Sequence, residues 1–157
     1  MGNPETNLID EYNFLKTGDE IPRFQWTDNS GIQNSVENLT GKYTLIILFS
    51  ADCPHCKSNF AYLEQNLFCK DKGTFNSIGF GRDCSPETIE IYKRNNNIQI
   101  PLFSDPNKEI YLKFAEKAIP RNYLFDQSGR LILTIRGYKP DENARMIDII
   151  LRNNENS

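Results

Sequence analysis

The segment Cys53-Pro54-His55-Cys56 holds two thiols at a spacing that supports thiol–disulfide chemistry. Two cysteines three positions apart on a helix lie nearly one turn apart, so their sulfurs can face each other and close a small ring. The segment follows a continuous apolar run over 43–49, which predicts a strand buried on both faces. Apolar residues at helical spacing come after it. The pattern therefore predicts a redox-active pair where a buried strand ends and a helix begins.

A helix N-terminus suits this chemistry because its free N–H groups and the positive end of its dipole stabilise a thiolate. Cys53 is predicted at the cap, where its sulfur accepts those N–H groups and acts as the nucleophile. Pro54 fits the first helical position, where an N–H has no partner, and His55 adds a positive charge beside the thiolate. Cys56 begins the inward apolar stripe, so we expect it to be buried, to have the higher pKa and to resolve the mixed disulfide.

The two other cysteines, Cys69 and Cys84, form no second CxxC pair, which argues against a zinc site, and we expect no metal. Cys69 is predicted to be half-buried, about 24 Å from Cys53 at the far end of the same helix. Cys84 follows a strand predicted over 74–80, at the same end of the sheet as the cysteine pair. We interpret Cys84 as a free structural cysteine, with a third redox thiol as the alternative.

Composition limits the remaining function classes. The chain has 157 residues, enough for one domain with a buried core, and its 38% hydrophobic and 25% charged residues are typical of globular proteins. A net charge of −3 supplies no basic surface for nucleic acid. The longest apolar run, 45–49, is too short to cross a bilayer. We expect neither nucleic-acid binding nor a membrane span in this chain.

Apolar periodicity and turn residues predict the element order β-β-β-α-β-α-β-α-β-β-α after a helical stripe over 5–17. This order implies an α/β fold with a mixed central sheet and helices on both faces. We divide the chain into an N-terminal extension (1–20), the main domain (21–152) and a polar tail (153–157). The predicted strands are 21–26, 32–36, 43–49, 74–80, 99–103, 121–125 and 130–136, and the predicted helices are 54–69, 86–96, 105–118 and 140–151.

Two segments resemble thioredoxin-like proteins. Phe49-Ser50-Ala51-Asp52-Cys53-Pro54-His55-Cys56-Lys57 resembles their active-site segment, and Ile119-Pro120 followed by 123–130 resembles their cis-proline loop and the strands after it. The two extra N-terminal strands, and the helix–strand unit inserted before Pro120, resemble the TlpA/ResA-type branch. The likeness covers residues 20–151 and implies a thioredoxin-like three-layer sandwich with an N-terminal β-hairpin extension.

That resemblance implies a thiol-disulfide oxidoreductase that exchanges electrons with protein cysteines and needs no cofactor beyond a Cys53–Cys56 disulfide. Its implied partners are protein thiols or disulfides and a redox partner protein. Pro120 is implied to be cis and to lie against the cysteine pair, which leaves the backbone of Ile119 to bind an extended substrate segment. The branch also implies a periplasmic or membrane-tethered location on the outer side, with the export signal absent from this chain. A cytoplasmic location is the alternative.

Three departures from the family pattern affect the chemistry. Asp52 replaces a Trp that often precedes the first cysteine, and its charge opposes ionisation of the neighbouring thiol. Ile47 occupies the position of the buried acid of thioredoxins, and Asn59 matches a Glu of the ResA branch. The sequence therefore identifies no proton acceptor for Cys56. His55 is shared with strongly oxidising DsbA-type proteins, which indicates a potential less reducing than that of thioredoxin.

Two other functions remain open. A peroxiredoxin-like peroxidase needs a Thr or Ser and a Pro upstream of its reactive cysteine; Ser50 fits, but Ile46 stands where the Pro is needed. A copper or thiol binding module would use Cys53, Cys56 and His55, because soft thiolates select Cu(I).

Overall fold

The computed structural model describes residues 10–39 and 41–155. Within those ranges the chain forms seven strands and four α-helices in the predicted order. The strands are β1 (Gln25–Thr27), β2 (Gln33–Ser35), β3 (Tyr43–Phe49), β4 (Phe75–Arg82), β5 (Leu102–Asp105), β6 (Arg121–Phe125) and β7 (Leu131–Arg136). The helices are α1 (Pro54–Asn66), α2 (Pro86–Asn95), α3 (Tyr111–Phe114) and α4 (Pro140–Glu155).

Five strands form the central sheet in the order β5-β4-β3-β6-β7. β3 is parallel to β4, and β4 to β5, whereas β6 runs antiparallel to both β3 and β7. β3 takes the central place because it is apolar at nearly every position and can be buried on both faces. β1 and β2 pair as a separate antiparallel hairpin, so the mixed sheet and the N-terminal hairpin are confirmed.

The two faces of the sheet carry separate apolar clusters. One cluster contains Cys56 and residues of α1, α2 and α4. The other is built from the β1–β2 region and α3 and includes Trp26, the one tryptophan of the chain. The cysteine pair therefore belongs to the face that three helices cover.

The predicted helical stripe over 5–17 is wrong where it falls within the described residues, and its first part lies outside them. Residues 10–17 are not helical, and Asn13 instead forms a β-bridge with Ala115. The side chains of Asp10 and Asn13 accept hydrogen bonds from the backbone N–H groups of Tyr12 (3.2 Å) and Leu15 (3.1 Å). Such short-range bonds compete with the helical pattern.

Three predicted helices differ in length from those observed. The helix predicted from Asp105 begins only at Tyr111, because Asp105 ends β5 and its buried carboxylate accepts the N–H groups of Ile110 (3.1 Å) and Tyr111 (2.8 Å). α1 ends at Asn66, and Phe68–Lys70 forms a separate 3₁₀ turn. α4 runs past its predicted end to Glu155.

Candidate active site

The cysteine pair lies at the junction between β3 and α1. Cys53 is the N-cap of α1 and has an extended backbone (φ −105°, ψ 111°). The backbone N–H of Cys56 donates a hydrogen bond to the Cys53 sulfur at 3.1 Å. A sulfur at this position can accept a free N–H of the first helical turn, which is the arrangement that stabilises a thiolate.

The two thiols differ in exposure. Cys53 is partly exposed and Cys56 is completely buried. Burial raises the pKa of Cys56, and its hydrogen bond to Cys53 raises it further, against the opposite effects of a hydrogen bond from the Ser50 backbone and the charge of Arg82. One thiol is therefore open to solvent, while the other is shielded and held in its protonated form.

The segment around Pro120 lies at the same edge of the sheet. β6 begins at Arg121, which pairs with Leu48 near the end of β3, so the residues just before β6 lie beside the start of the cysteine loop. The Ile119–Pro120 peptide bond is cis, as the resemblance implies. Ile119 is partly buried against both apolar clusters, and Pro120 is buried.

Arg121 holds this segment in place and is a residue that the sequence reasoning missed. Its guanidinium is 1% exposed and donates hydrogen bonds to the carbonyls of Lys117 (2.7 Å) and Ala118 (3.1 Å). It also forms an ion pair with Asp10 at 2.7 Å. Burial raises the pKa of Asp10, but the hydrogen bond and charge of Arg121 outweigh it and lower the pKa overall. An arginine opening an apolar strand directly after Pro120 was the available signal.

The other predicted site residues lie at the surface. Pro54 and His55 open α1 and are exposed, and Asp52 is exposed in the loop before them. The predicted role of His55 in stabilising the thiolate stays a prediction. Among residues 10–39 and 41–155, no cluster of three or more His, Cys, Asp or Glu side chains could hold a metal ion.

Of the two further cysteines, Cys84 lies beside the pair and Cys69 does not. Cys84 is a buried free thiol; its pKa is raised by burial and by the charge of Asp52, against hydrogen bonds from the Ala51 backbone and the Ser50 side chain. Cys69 is exposed in the 3₁₀ turn, so the prediction of a half-buried helical position is wrong. Its thiol donates to the carbonyl of Gln65.

Asn59, which matches the acid of the ResA branch, takes part in a buried amide cluster. It exchanges two hydrogen bonds of 3.2 Å with Asn122 and accepts a third from Asn143 at 2.9 Å. These bonds join α1 to β6 and α4. The Asn59 amide is therefore occupied by packing contacts rather than by the cysteine pair.

Comparison with known proteins identifies the family. The profile of the AhpC/TSA family matches residues 17–133. The chain belongs to the AhpC/TSA family. Among curated relatives, the thiol-disulfide oxidoreductase ResA of Bacillus thuringiensis is 23% identical over 130 residues, which cover 82% of this chain and 74% of that protein. A "putative peroxiredoxin" of Mycobacterium tuberculosis is also 23% identical, over 76% of this chain and 83% of its own.

Solved structures confirm the thioredoxin-like fold. A "putative protein disulfide isomerase" from Bacteroides thetaiotaomicron superposes with a TM-score of 0.83 at 26% identity, covering 88% of this chain and 90% of its own. A secreted disulfide oxidoreductase of Mycobacterium tuberculosis superposes with a TM-score of 0.69 at 15% identity, covering 80% and 95%. The predicted recognition and enzyme class, a ResA-type thioredoxin-like thiol-disulfide oxidoreductase, are confirmed at the level of the family.

Proposed function

We propose that this protein exchanges electrons with protein cysteines through the Cys53–Cys56 pair. The Cys53 thiolate attacks one sulfur of a substrate disulfide and forms a mixed disulfide, while the other substrate sulfur leaves as a thiolate. Cys56 then attacks the Cys53 sulfur, releases the second substrate thiol and closes the Cys53–Cys56 disulfide. Two electrons pass to the substrate, and the reverse sequence oxidises a dithiol. Apart from the Cys53–Cys56 disulfide, this reaction needs no cofactor.

One observation supports the proposal above the others. The partly exposed sulfur of Cys53 accepts the Cys56 N–H at 3.1 Å, while the sulfur of Cys56 is wholly buried and its pKa is raised. A structural pair in a core has no need of this difference, whereas exchange requires one accessible nucleophile and one shielded thiol. Pro54 and His55 are proposed to support the Cys53 thiolate from the first turn of α1.

Substrate binding is proposed for Ile119 and Pro120. Antiparallel pairing of Arg121 with Leu48 supports this role, because it brings the segment before β6 to the edge where the cysteine loop begins. An extended substrate can add to such a segment through backbone hydrogen bonds. Arg121 fixes the backbone before this segment by donating hydrogen bonds to the carbonyls of Lys117 and Ala118, and its ion pair with Asp10 holds the guanidinium in place.

We also propose an extracytoplasmic site of action and a separate redox partner protein that resets the pair. The secreted Mycobacterium relative in fold and the resemblance to the TlpA/ResA-type branch support this location. No helix in the described part of the chain is long and apolar enough to span a membrane. Fractionation of cells carrying the complete gene tests the location, and recovery in the cytoplasm would contradict it.

Trapping experiments test the reaction itself. With insulin as the disulfide substrate, Cys56→Ser should accumulate a mixed disulfide. The attack by Cys53 proceeds, but the second attack that releases the substrate cannot. Cys53→Ser should trap nothing and lose insulin reduction. Cys69→Ser is the matched control, since this exposed thiol lies outside the site, and should behave as the wild type. Full activity of Cys53→Ser would refute the proposal.

Peroxide reduction is the second candidate, favoured by the family assignment and the peroxiredoxin relative. In that reaction the Cys53 thiolate attacks a peroxide, becomes a sulfenic acid and releases water or an alcohol. One residue argues against this candidate: Ile46 stands where a peroxidase of this type needs a Pro, and it is fully buried in β3. Stoichiometric peroxide consumption with Cys53 sulfenic acid would establish this activity. A Cu(I) titration tests the remaining binding-module alternative.

A further inference from the structure

Tyr92, on α2, lies in the same apolar cluster as Cys56. It is 5% exposed, and its ring stacks on Phe49 at 5.3 Å between centroids with an interplanar angle of 25°. It also meets Phe60 edge-on at 6.2 Å. Phe49 directly precedes the cysteine loop, and Phe60 follows Cys56 on α1. The ring is therefore fixed by the elements that position the two thiols.

The hydroxyl of Tyr92 is not explained by this packing, since a phenylalanine would make the same ring contacts. Among the described residues, it has no hydrogen-bond partner. Buried hydroxyls are nearly always paired, because an unpaired one forfeits its bonds to water. Such an exception calls for an explanation from function or from a partner that forms in another state.

Three thiols share the cluster of Tyr92: Cys56 and Cys84 are buried in it, and Cys53 packs against it. Burial raises the pKa of Tyr92, and Cys56, Cys53 and Cys84 raise it further, in that order. Tyr92 therefore stays protonated and can donate a hydrogen bond, but it cannot take up a proton. The nearby sulfur that must become an anion within the buried cluster is that of Cys56.

We infer that the Tyr92 hydroxyl donates a hydrogen bond to the Cys56 sulfur as that sulfur becomes a thiolate, and so accelerates the resolving step. This inference rests on the proposed function. In this step, the S–H bond of Cys56 breaks and a disulfide bond forms between Cys56 and Cys53. The disulfide bond from Cys53 to the substrate sulfur breaks at the same time. The proton lost by Cys56 ends on the departing substrate thiolate, so no other reactant is needed.

Other groups also act on the Cys56 sulfur, and the Tyr92 hydroxyl adds to them. The groups that act on the Cys56 sulfur are Cys53, the Ser50 backbone and the charge of Arg82. Asn59 is committed to Asn122 and Asn143. A donor that finds its acceptor only in the anionic state stabilises the thiolate without stabilising the resting thiol, which is the difference that lowers a barrier.

A two-phase reaction with the aromatic disulfide DTNB separates the steps, with every protein carrying Cys69→Ser so that this exposed thiol does not contribute. Attack by Cys53 releases one coloured thiolate, and attack by Cys56 on the resulting mixed disulfide releases the second. We expect Tyr92→Phe to leave the first phase unchanged and to slow the second about fivefold to fifteenfold. This range combines a hydrogen bond to a charged group with the partial gain in nucleophilicity that a higher thiol pKa brings. The pH profile of the second phase should move to higher pH.

Tyr123→Phe is the matched control. Tyr123 is a buried tyrosine in the cluster on the opposite face of the sheet, and its hydroxyl donates to Asn13 at 2.9 Å. Its loss should lower the urea midpoint of unfolding and leave both phases unchanged. Tyr92→Phe should show the opposite signature, with a urea midpoint no lower than that of the wild type.

The outcomes distinguish this inference from the proposed function. An unchanged second phase in Tyr92→Phe overturns the inference while leaving the exchange reaction intact. A lower urea midpoint of reduced Tyr92→Phe also overturns it, because the hydroxyl would then already have a partner in the resting state. Absence of any second phase in the wild type refutes the proposed function instead.

Discussion

The ion pair between Asp10 and Arg121 ties the N-terminal segment to the strand that begins after Pro120, and Asp10→Asn tests its contribution to stability. The two residues are 111 positions apart in the chain. Arg121 is 1% exposed and Asp10 is 24% exposed at the side chain. Asparagine keeps the shape of the side chain and one possible acceptor but removes the charge that compensates the guanidinium of Arg121 and that also pairs with the half-exposed Arg136 at 3.3 Å.

The expected loss of unfolding free energy depends on how deeply the side chains of Arg121 and Asp10 are buried. Removing the partner of a fully buried ion costs about 3 to 5 kcal/mol. Water reaches Asp10 and screens the interaction, while the carbonyls of Lys117 and Ala118 keep their bonds to Arg121. We therefore expect a lower free energy of unfolding by about 1.5 to 3 kcal/mol, the range for a hydrogen bond to a charged group.

Urea unfolding followed by the fluorescence of Trp26 measures this change, because Trp26 is buried and is the one tryptophan of the chain. Glu20→Gln is the control. It breaks the Arg130–Glu20 pair of 3.1 Å, in which both side chains are more than half exposed, and such pairs contribute little. Equal losses in the two variants would refute the reasoning, because burial would then not decide the contribution of either pair.

Acid provides a second readout of the same pair. The pKa of Asp10 is lower in the folded chain than its ordinary value of 3.8. The contribution of Asp10 to stability is therefore complete above pH 3.8 and is lost as the pH falls through the lower pKa that Asp10 has in the folded chain. The difference in unfolding free energy between the wild type and Asp10→Asn should shrink as the solution is acidified through this range. A constant difference would contradict the assignment.

Two further predictions concern buried groups of the site. The free energy of unfolding of the reduced protein should fall as the pH rises above 9.0, the ordinary pKa of a thiol, because the pKa of Cys56 is raised in the folded chain and only the unfolded chain ionises there. In urea titrations at increasing pH, Cys56→Ala should show a shallower decline. Equal slopes in the two proteins would count against this cause. Asn59→Leu should lower the unfolding free energy by about 2 to 4 kcal/mol, because it strips hydrogen bonds from the buried amides of Asn122 and Asn143. Asn66→Ala, which removes only a bond to one carbonyl of its own helix, should cost less in the same urea assay.

Local signals in the sequence predicted the order of strands and helices and the placement of the cysteine pair. The apolar run of β3 and the proline after Cys53 each act within a few residues, so they could be interpreted without knowing the neighbours. The same reasoning was wrong over 10–17, where apolar spacing indicated a helix. There the side chains of Asp10 and Asn13 bond to nearby backbone groups, and the segment pairs with a distant part of the chain.

The sequence by itself determined an α/β order, Cys53 at the start of a helix and a buried Cys56 one turn further. Only the tertiary structure decided what surrounds them: Tyr92 with its unpaired hydroxyl in the same buried cluster as Cys56, Arg121 joined to Asp10, and Asn59 enclosed by two other amides. These neighbours come from different strands and helices. Their proximity depends on which strands pair and which face each helix covers, because a buried polar group acquires its partners from packing and not from its position in the chain.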